Sequence, residues 1–139
     1  MYRHDYVMRL IEAFGKSLIA IRDRILKREA DGQAVLAELG ELSRKAGVDL
    51  DIARRLDHGS LLMWLSPTGE HDPARMWLLA QLLYLVGLRA EAERPGAGRP
   101  DFMRALALLD HVPVDFTAPG DVGTAVTLSD DLRAMIEAS

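Results

Sequence analysis

The clearest structural signal in this sequence is the stretch TGEHDPARMWLLAQLLYLVG, residues 68–87. Asp72 can accept hydrogen bonds from the first free N–H groups of a helix, and Pro73 suits the first helical position, where its missing N–H costs nothing. The helix predicted to start there is apolar on almost every side from Met76 to Val86. Such a helix must be covered on most sides, by the rest of the chain or by a second copy of it.

A second signal lies at the N-terminus. Apolar residues recur there at intervals of four, three, four, three and four, which predicts a helix from about residue 5 to about residue 30 with one buried face. Arg9, Glu12 and Lys16 interrupt the segment, so it does not have the pattern of a signal peptide. The predicted buried stripe consists of Val7, Ile11, Phe14, Leu18, Ile21 and Ile25.

Shorter signals complete an all-α prediction of about six helices. The remaining elements are a helix at residues 33–46, a short one capped by Asp49, an apolar turn at residues 61–65, a helix capped by Asp101, a possible extended piece TAVTL at residues 124–128, and a final helix opening at residues 129–131. We therefore expect an antiparallel helical bundle. Residues 1–111 form its helical domain, and residues 112–139 form a Pro/Gly-rich tail whose short terminal helix packs on that domain.

Composition excludes several classes of protein. The 139 residues include no cysteine, which removes disulfide scaffolds, zinc ribbons and thiol chemistry and favours the cytoplasm. The longest strongly apolar run, residues 76–88, is thirteen residues, short of the roughly 20 that a membrane span needs. The net charge of −4 is uneven, +2 over residues 1–55 and −6 over residues 56–139, but this asymmetry is too small to indicate nucleic-acid binding. We expect a cytoplasmic protein with no membrane span and no nucleic-acid partner.

All four histidines adjoin an aspartate, in the pairs His4–Asp5, Asp57–His58, His71–Asp72 and Asp110–His111. Each pair falls at a predicted helix end, where it can serve as a cap, and no ligand spacing such as His-x-x-x-His occurs. We therefore expect no metal and no cofactor. An alternative stays open, in which a small-molecule site or an active site near His58, Glu70 and His71 is assembled only in three dimensions.

Trp77, Gln81 and Tyr84 are the predicted partner-binding residues. At 3.6 residues per turn they fall within about 60° of one another on the helix. Aromatic side chains that flank an amide suit an extended peptide, because they offer apolar area together with donors and acceptors. The competing interpretation is that the aromatic residues belong to the core, since a tryptophan in a leucine-rich helix is usually buried.

The helix–loop–helix order of residues 73–110 resembles a tetratricopeptide unit. The residues that carry this resemblance are Met76, Leu79, Ala80, Leu83 and Gly87 in the first helix and Ala92, Phe102 and Ala105 in the second. Together with YRHDYVMRLIEAFG (residues 2–15) and GVDLDIARRLDHGSLLMWL (residues 47–65), they make the chain similar to a family of small uncharacterised bacterial proteins with a tetratricopeptide-like helical fold. The resemblance implies a fold over residues 2 to about 110, and no activity or catalytic residues.

These observations predict a non-enzymatic helical protein-interaction module that self-associates, most simply as a homodimer. Self-association is expected because the helix after Pro73 is apolar on almost every side, and a second copy could bury that surface. The predicted contact is the first helix, where Leu10, Ile19 and Leu26 lie off the main stripe. The alternative cover is the tail from Val112, folded back over the helix that Pro73 starts.

Overall fold

The computed structural model describes residues 4–28 and 31–138, and over these ranges the chain is helical, without a β-strand. The α-helices within them are α1 (His4–Leu26), α2 (Gly32–Lys45), α3 (Leu50–Ala53), α4 (His58–Leu65), α5 (Pro73–Glu93), α6 (Arg99–Leu109) and α7 (Ala125–Ala138), with a 3₁₀ turn at Pro119–Asp121. The predicted all-α class is confirmed.

Helix α5 is the centre of the fold. Asp72 accepts hydrogen bonds from the N–H groups of Ala74 and Arg75, and Pro73 occupies the start of the helix, as the sequence predicts. Every residue at positions 76–88 is buried. The cover comes from α1, α2, α3, α6 and α7 of the same chain. The chain itself therefore supplies the cover that the sequence demands for this helix.

The exposed surface agrees with a chain that closes its own core. Its solvent-accessible area is 7549 Å² for a mass of 15.4 kDa. A compact monomeric protein of this mass exposes about 7200 Å². A second copy is therefore not needed to cover α5, and self-association must be argued from other residues.

Helix α1 buries the predicted stripe, with one difference. Its other stripe members are buried, but Phe14 is only half-buried, and the Lys45 ammonium lies 5.7 Å from the centroid of its ring. The helix ends at Leu26, and Arg28 has a φ of 55°, the left-handed conformation that commonly follows a helix. The predicted helix end near residue 30 lies outside the described residues, as does the side chain of His4.

Helix α7 begins at Ala125 and not at residues 129–131, so TAVTL is mostly helical. Two threonines explain the earlier start. The Thr127 N–H donates to Oγ1 of Thr124 (3.1 Å), and the Thr124 N–H donates to Oγ1 of Thr127 (2.9 Å). This reciprocal arrangement satisfies N–H groups at the start of a helix. Thr124 also forms an isolated bridge with Thr117, which is all that remains of the expected extended piece.

Helix α6 also differs from the prediction at its start. Gly98 takes the capping position, and the helix begins at Arg99, so Asp101 lies in the first turn and is not the cap. The Asp101 side chain is buried and accepts two hydrogen bonds from Arg54, at 3.0 and 3.2 Å. A carboxylate that the local pattern marks as a cap therefore serves as a link between α3 and α6.

Candidate functional site

A small cleft between α1, α5 and the segment 122–131 contains the three predicted partner-binding residues. Trp77, Gln81 and Tyr84 line it and are 0%, 8% and 3% exposed. Its volume is about 60 Å³. The helical spacing of the three residues thus brings them to one place, as predicted, but that place is inside the chain.

The chain after α6 covers these residues. The Phe116 ring centroid lies 6.1 Å from that of Trp77, and the backbone passes so close at Gly123 that a β-carbon there would be 3.8 Å from the Trp77 ring. An extended peptide could reach Trp77, Gln81 and Tyr84 only if this segment and α7 moved away. The open groove that the peptide-binding interpretation requires is therefore closed in this conformation.

Two of the residues that line the cleft have a buried N–H donor without a hydrogen-bond partner among the described residues. The donors are Nε1 of Trp77, on α5, and Nε of Arg22, on α1. Leaving a donor buried and unpaired costs about 1–3 kcal/mol. Nε of Arg75 and Nε of Arg89 are also buried without a partner, so unpaired donors are not particular to this cleft.

Arg22 and Asp131 carry the charge at this cleft. Nη2 of Arg22 lies 3.5 Å from Oδ2 of Asp131, and the two side chains are 41% and 43% exposed, so both reach solvent. The guanidinium carbon lies 5.8 Å from the Tyr84 ring centroid. Burial raises the pKa of the Tyr84 hydroxyl, which Arg22 opposes and Asp131 reinforces. Tyr84 therefore stays protonated at neutral pH and is available as a donor.

Arg22 and Asp131 escaped the sequence-based prediction of the site. In the sequence, Arg22 lies at the edge of the buried α1 stripe and beside the basic residues Arg24, Lys27 and Arg28, a pattern typical of a solvated helix face. Asp131 was predicted only as part of the opening of the last helix. The tertiary fold alone places these two residues beside Trp77.

The structure gives His58 and His71 different surroundings. Nδ1 of His71 lies 3.0 Å from Oγ of Ser66, and its ring centroid is 5.0 Å from that of His111. His58 instead lines an open groove of about 460 Å³ beside Pro100 and the start of α6. In the described part of the chain, no three His, Asp or Glu side chains are grouped as metal ligands would be. The alternative site is therefore divided between two places.

All four histidine–aspartate pairs lie at helix ends, as predicted, and in two of them the aspartate is an N-terminal cap. Asp57 caps α4 through the Ser60 N–H (2.7 Å), and Asp72 caps α5. The pKa of Asp57 lies below its usual range because the N–H and hydroxyl of Ser60 bond its carboxylate, with His58 adding attraction. Glu70 is exposed.

The three predicted self-association residues do not share one face of α1. Ile19 and Leu26 are 43% and 55% exposed, and a spacing of seven residues puts them within about 20° of each other. Leu10 is half-buried against the core and lies about 180° from Ile19. Its side of α1 faces α2, where Arg24 donates to both Glu38 carboxylate oxygens at 2.9 Å. Leu10 therefore cannot act together with the other two in one contact.

Comparisons with protein-family models, curated proteins and solved structures found no significant match to this chain. None of the described helices is both long enough and apolar enough to span a bilayer. Function is therefore inferred from the chain's own residues: the flank of α1 that carries Ile19 and Leu26, called the α1 flank below.

Proposed function

We propose that the protein is a non-enzymatic helical interaction module of the bacterial cytoplasm that self-associates as a homodimer through the α1 flank. The observation that carries this proposal is the exposure of Ile19 and Leu26, two large apolar side chains seven residues apart on one side of a long helix. A single exposed leucine is ordinary, but two at a seven-residue spacing form the beginning of a helix-to-helix seam. The absence of cysteine and the resemblance described above support the cytoplasmic and bacterial setting.

Charge on the α1 flank favours a second copy as the partner. Arg22 and Asp23 lie midway between Ile19 and Leu26 and carry opposite charges. In an antiparallel pair with a twofold axis between these two positions, Ile19 of one copy meets Leu26 of the other. The same axis brings Arg22 of one copy, which also pairs with Asp131 of its own chain, near Asp23 of the other. A twofold axis lets one patch serve both subunits, which is the commonest arrangement in homo-oligomers.

The expected dimer is weak. Full burial of an isoleucine or leucine contributes about 1.5–3 kcal/mol, so four half-exposed side chains contribute roughly 3–6 kcal/mol. Association itself costs at least about 4 kcal/mol. The apolar seam only balances this cost, and the charge pairs beside it must supply the surplus. At the favourable end of these ranges, two exposed charge pairs of up to about 1 kcal/mol each bring the net free energy of association to about 4 kcal/mol, which corresponds to a dissociation constant of about 1 mM.

We further propose that α5 and α6 form a tetratricopeptide-like helical hairpin within this module. The contact that supports it joins Gly87 and Phe102, two of the residues that carry the resemblance. A β-carbon added at Gly87 would overlap the Phe102 ring, so the glycine is what lets the two helices approach. A small residue facing an aromatic one across a hairpin is the kind of contact that the resemblance implies.

Sedimentation equilibrium tests self-association, over about 10 µM to about 1 mM, the range in which such an affinity is visible. We expect the mass of the unaltered chain to rise with concentration toward twice 15.4 kDa. Leu26→Glu places a charge in the seam and should hold the mass at the monomer value. Met63→Glu is the matched control, because Met63 is 74% exposed on α4, outside the α1 flank. A monomeric parent at the highest concentration, or equal behaviour of the two variants, would refute the proposal.

A further inference from the structure

Two histidine side chains meet at one end of the hairpin that α5 and α6 form. His71 immediately precedes Asp72, which caps the start of α5, and His111 immediately follows Asp110, which caps the end of α6. Their ring centroids are 5.0 Å apart, with an angle of 51° between the ring planes. Both residues are exposed, so an ion from solvent can reach the two imidazoles. The proposed self-association through the α1 flank uses neither residue.

We propose that His71 and His111 together bind a divalent transition-metal ion such as Zn²⁺, each through one imidazole nitrogen. In a tetrahedral zinc site each nitrogen lies about 2.0–2.1 Å from the ion, which puts the centroids of two neighbouring rings roughly 5 Å apart. The separation in this structure matches that value, so the pair can share an ion without movement of either helix. Zinc, copper and nickel accept imidazole ligands, whereas Mg²⁺ and Ca²⁺ require oxygen ligands.

The hydrogen bonding of the two rings leaves nitrogens available for an ion. Nδ1 of His71 lies 3.0 Å from Oγ of Ser66, which is 8% exposed at the end of α4. When Nδ1–H donates to this hydroxyl, the lone pair of Nε2 is free, and a metal-binding histidine almost always has its second nitrogen bonded in this way. No side-chain hydrogen bond to another described residue holds the exposed His111 ring, so this ring can turn a nitrogen toward the ion.

The charge around the pair suits a cation. Segment 66–74, around His71, has two acidic residues and no lysine or arginine, and segment 105–120, around His111, has the same balance. Negative charge of this kind raises the local concentration of cations. Among the described residues no third His, Asp or Glu side chain is grouped with the pair, so water fills the other positions around the ion. The sequence-based expectation of no metal considered ligand spacing along one helix, whereas contact between the ends of two helices assembles this pair.

A zinc titration of the untagged full chain at neutral pH tests the proposal. The imidazole C–H resonances are followed by NMR as ZnCl₂ is added, and MgCl₂ is the control for a divalent charge. We expect the His71 and His111 resonances to shift together and to saturate at one zinc ion per chain, with no shift in MgCl₂. His58 lines a separate groove and should not respond at the same concentrations. No saturable shift at His71 and His111, an equal shift at His58, or one zinc ion per two chains would overturn the proposal.

Three variants complete the test. His111→Ala removes one ligand and should weaken zinc binding at least about tenfold, whereas the matched control His58→Ala should leave it unchanged. Ser66→Ala removes the hydroxyl that orients His71 and should weaken binding about tenfold. Because zinc stabilises the state that it binds, it should raise the melting temperature of the parent and of His58→Ala, but not that of His111→Ala. Equal zinc affinity in the parent and His111→Ala would overturn the site, and equal affinity in Ser66→Ala would overturn the role of Ser66.

Discussion

The link between α3 and α6 is the sharpest place to test how this fold is held together. Asp101 is 2% exposed, and its carboxylate accepts hydrogen bonds from Nε and Nη2 of Arg54 at 3.0 and 3.2 Å. Nη1 of Arg104 is farther away, at 3.9 Å. The Arg54 side chain is 34% exposed. The Asp101 carboxylate is therefore shielded from water, whereas the Arg54 guanidinium is partly exposed to it.

That asymmetry predicts unequal effects of removing the two partners. Arg54→Ala leaves a buried carboxylate with only the longer Arg104 contact to offset it, and breaking a buried pair in this way costs about 3–5 kcal/mol. Asp101→Ala leaves a guanidinium that can reach water, so its cost should be about 1–2 kcal/mol. We therefore expect Arg54→Ala, although it changes the more exposed residue, to reduce the free energy of unfolding by about 2 kcal/mol more than Asp101→Ala does.

The assay is urea unfolding followed by circular dichroism, with the dependence on urea compared among variants to confirm that the unfolding reaction is unchanged. Arg44→Ala is the control, because Arg44 pairs with Glu41 at 2.6 Å while both side chains are about two thirds exposed. We expect Arg44→Ala to lower the free energy of unfolding by less than about 1 kcal/mol. Equal losses at Arg54 and Asp101, or a loss at Arg54 no larger than at Arg44, would refute the reasoning.

Three further predictions concern packing and capping. Phe14→Ala should lower the free energy of unfolding by about 2 kcal/mol, because Phe14 is only half-buried. Phe102→Ala, at a fully buried position, should lower it by roughly 3–5 kcal/mol, and urea unfolding compares the two variants. Gly87→Ala should destabilise the fold by about 1–3 kcal/mol, because the added β-carbon overlaps the Phe102 ring. Gly40→Ala, whose β-carbon would meet nothing closer than 3.7 Å, should stabilise it by up to about 1 kcal/mol. Thermal melts should therefore show changes in melting temperature of opposite sign. Thr124→Ala should cost about 1 kcal/mol and speed amide exchange in α7 before other helices; uniform acceleration would contradict the capping role.

Much of the helical framework follows from the sequence alone. The start of α5 is encoded by Asp72 and Pro73, because a cap bonds N–H groups only two or three residues away. The buried face of α1 is encoded by its apolar spacing, because helix geometry repeats within seven residues. The same geometry places Trp77, Gln81 and Tyr84 on one side of α5. Each of these features depends on interactions within one helix, so each can be predicted without knowledge of the fold.

Tertiary structure alone decided the rest. Asp101 has the local pattern of a cap, but the approach of Arg54 from 47 residues earlier in the chain makes it a buried ionic link. The segment after α6 covers Trp77, and so turns a predicted open groove into a closed cleft. The same folding brings Arg22 and Asp131 to that cleft from opposite ends of the chain. Helix periodicity determines which residues share a face, whereas the burial and charge of that face depend on the distant segment that packs against it.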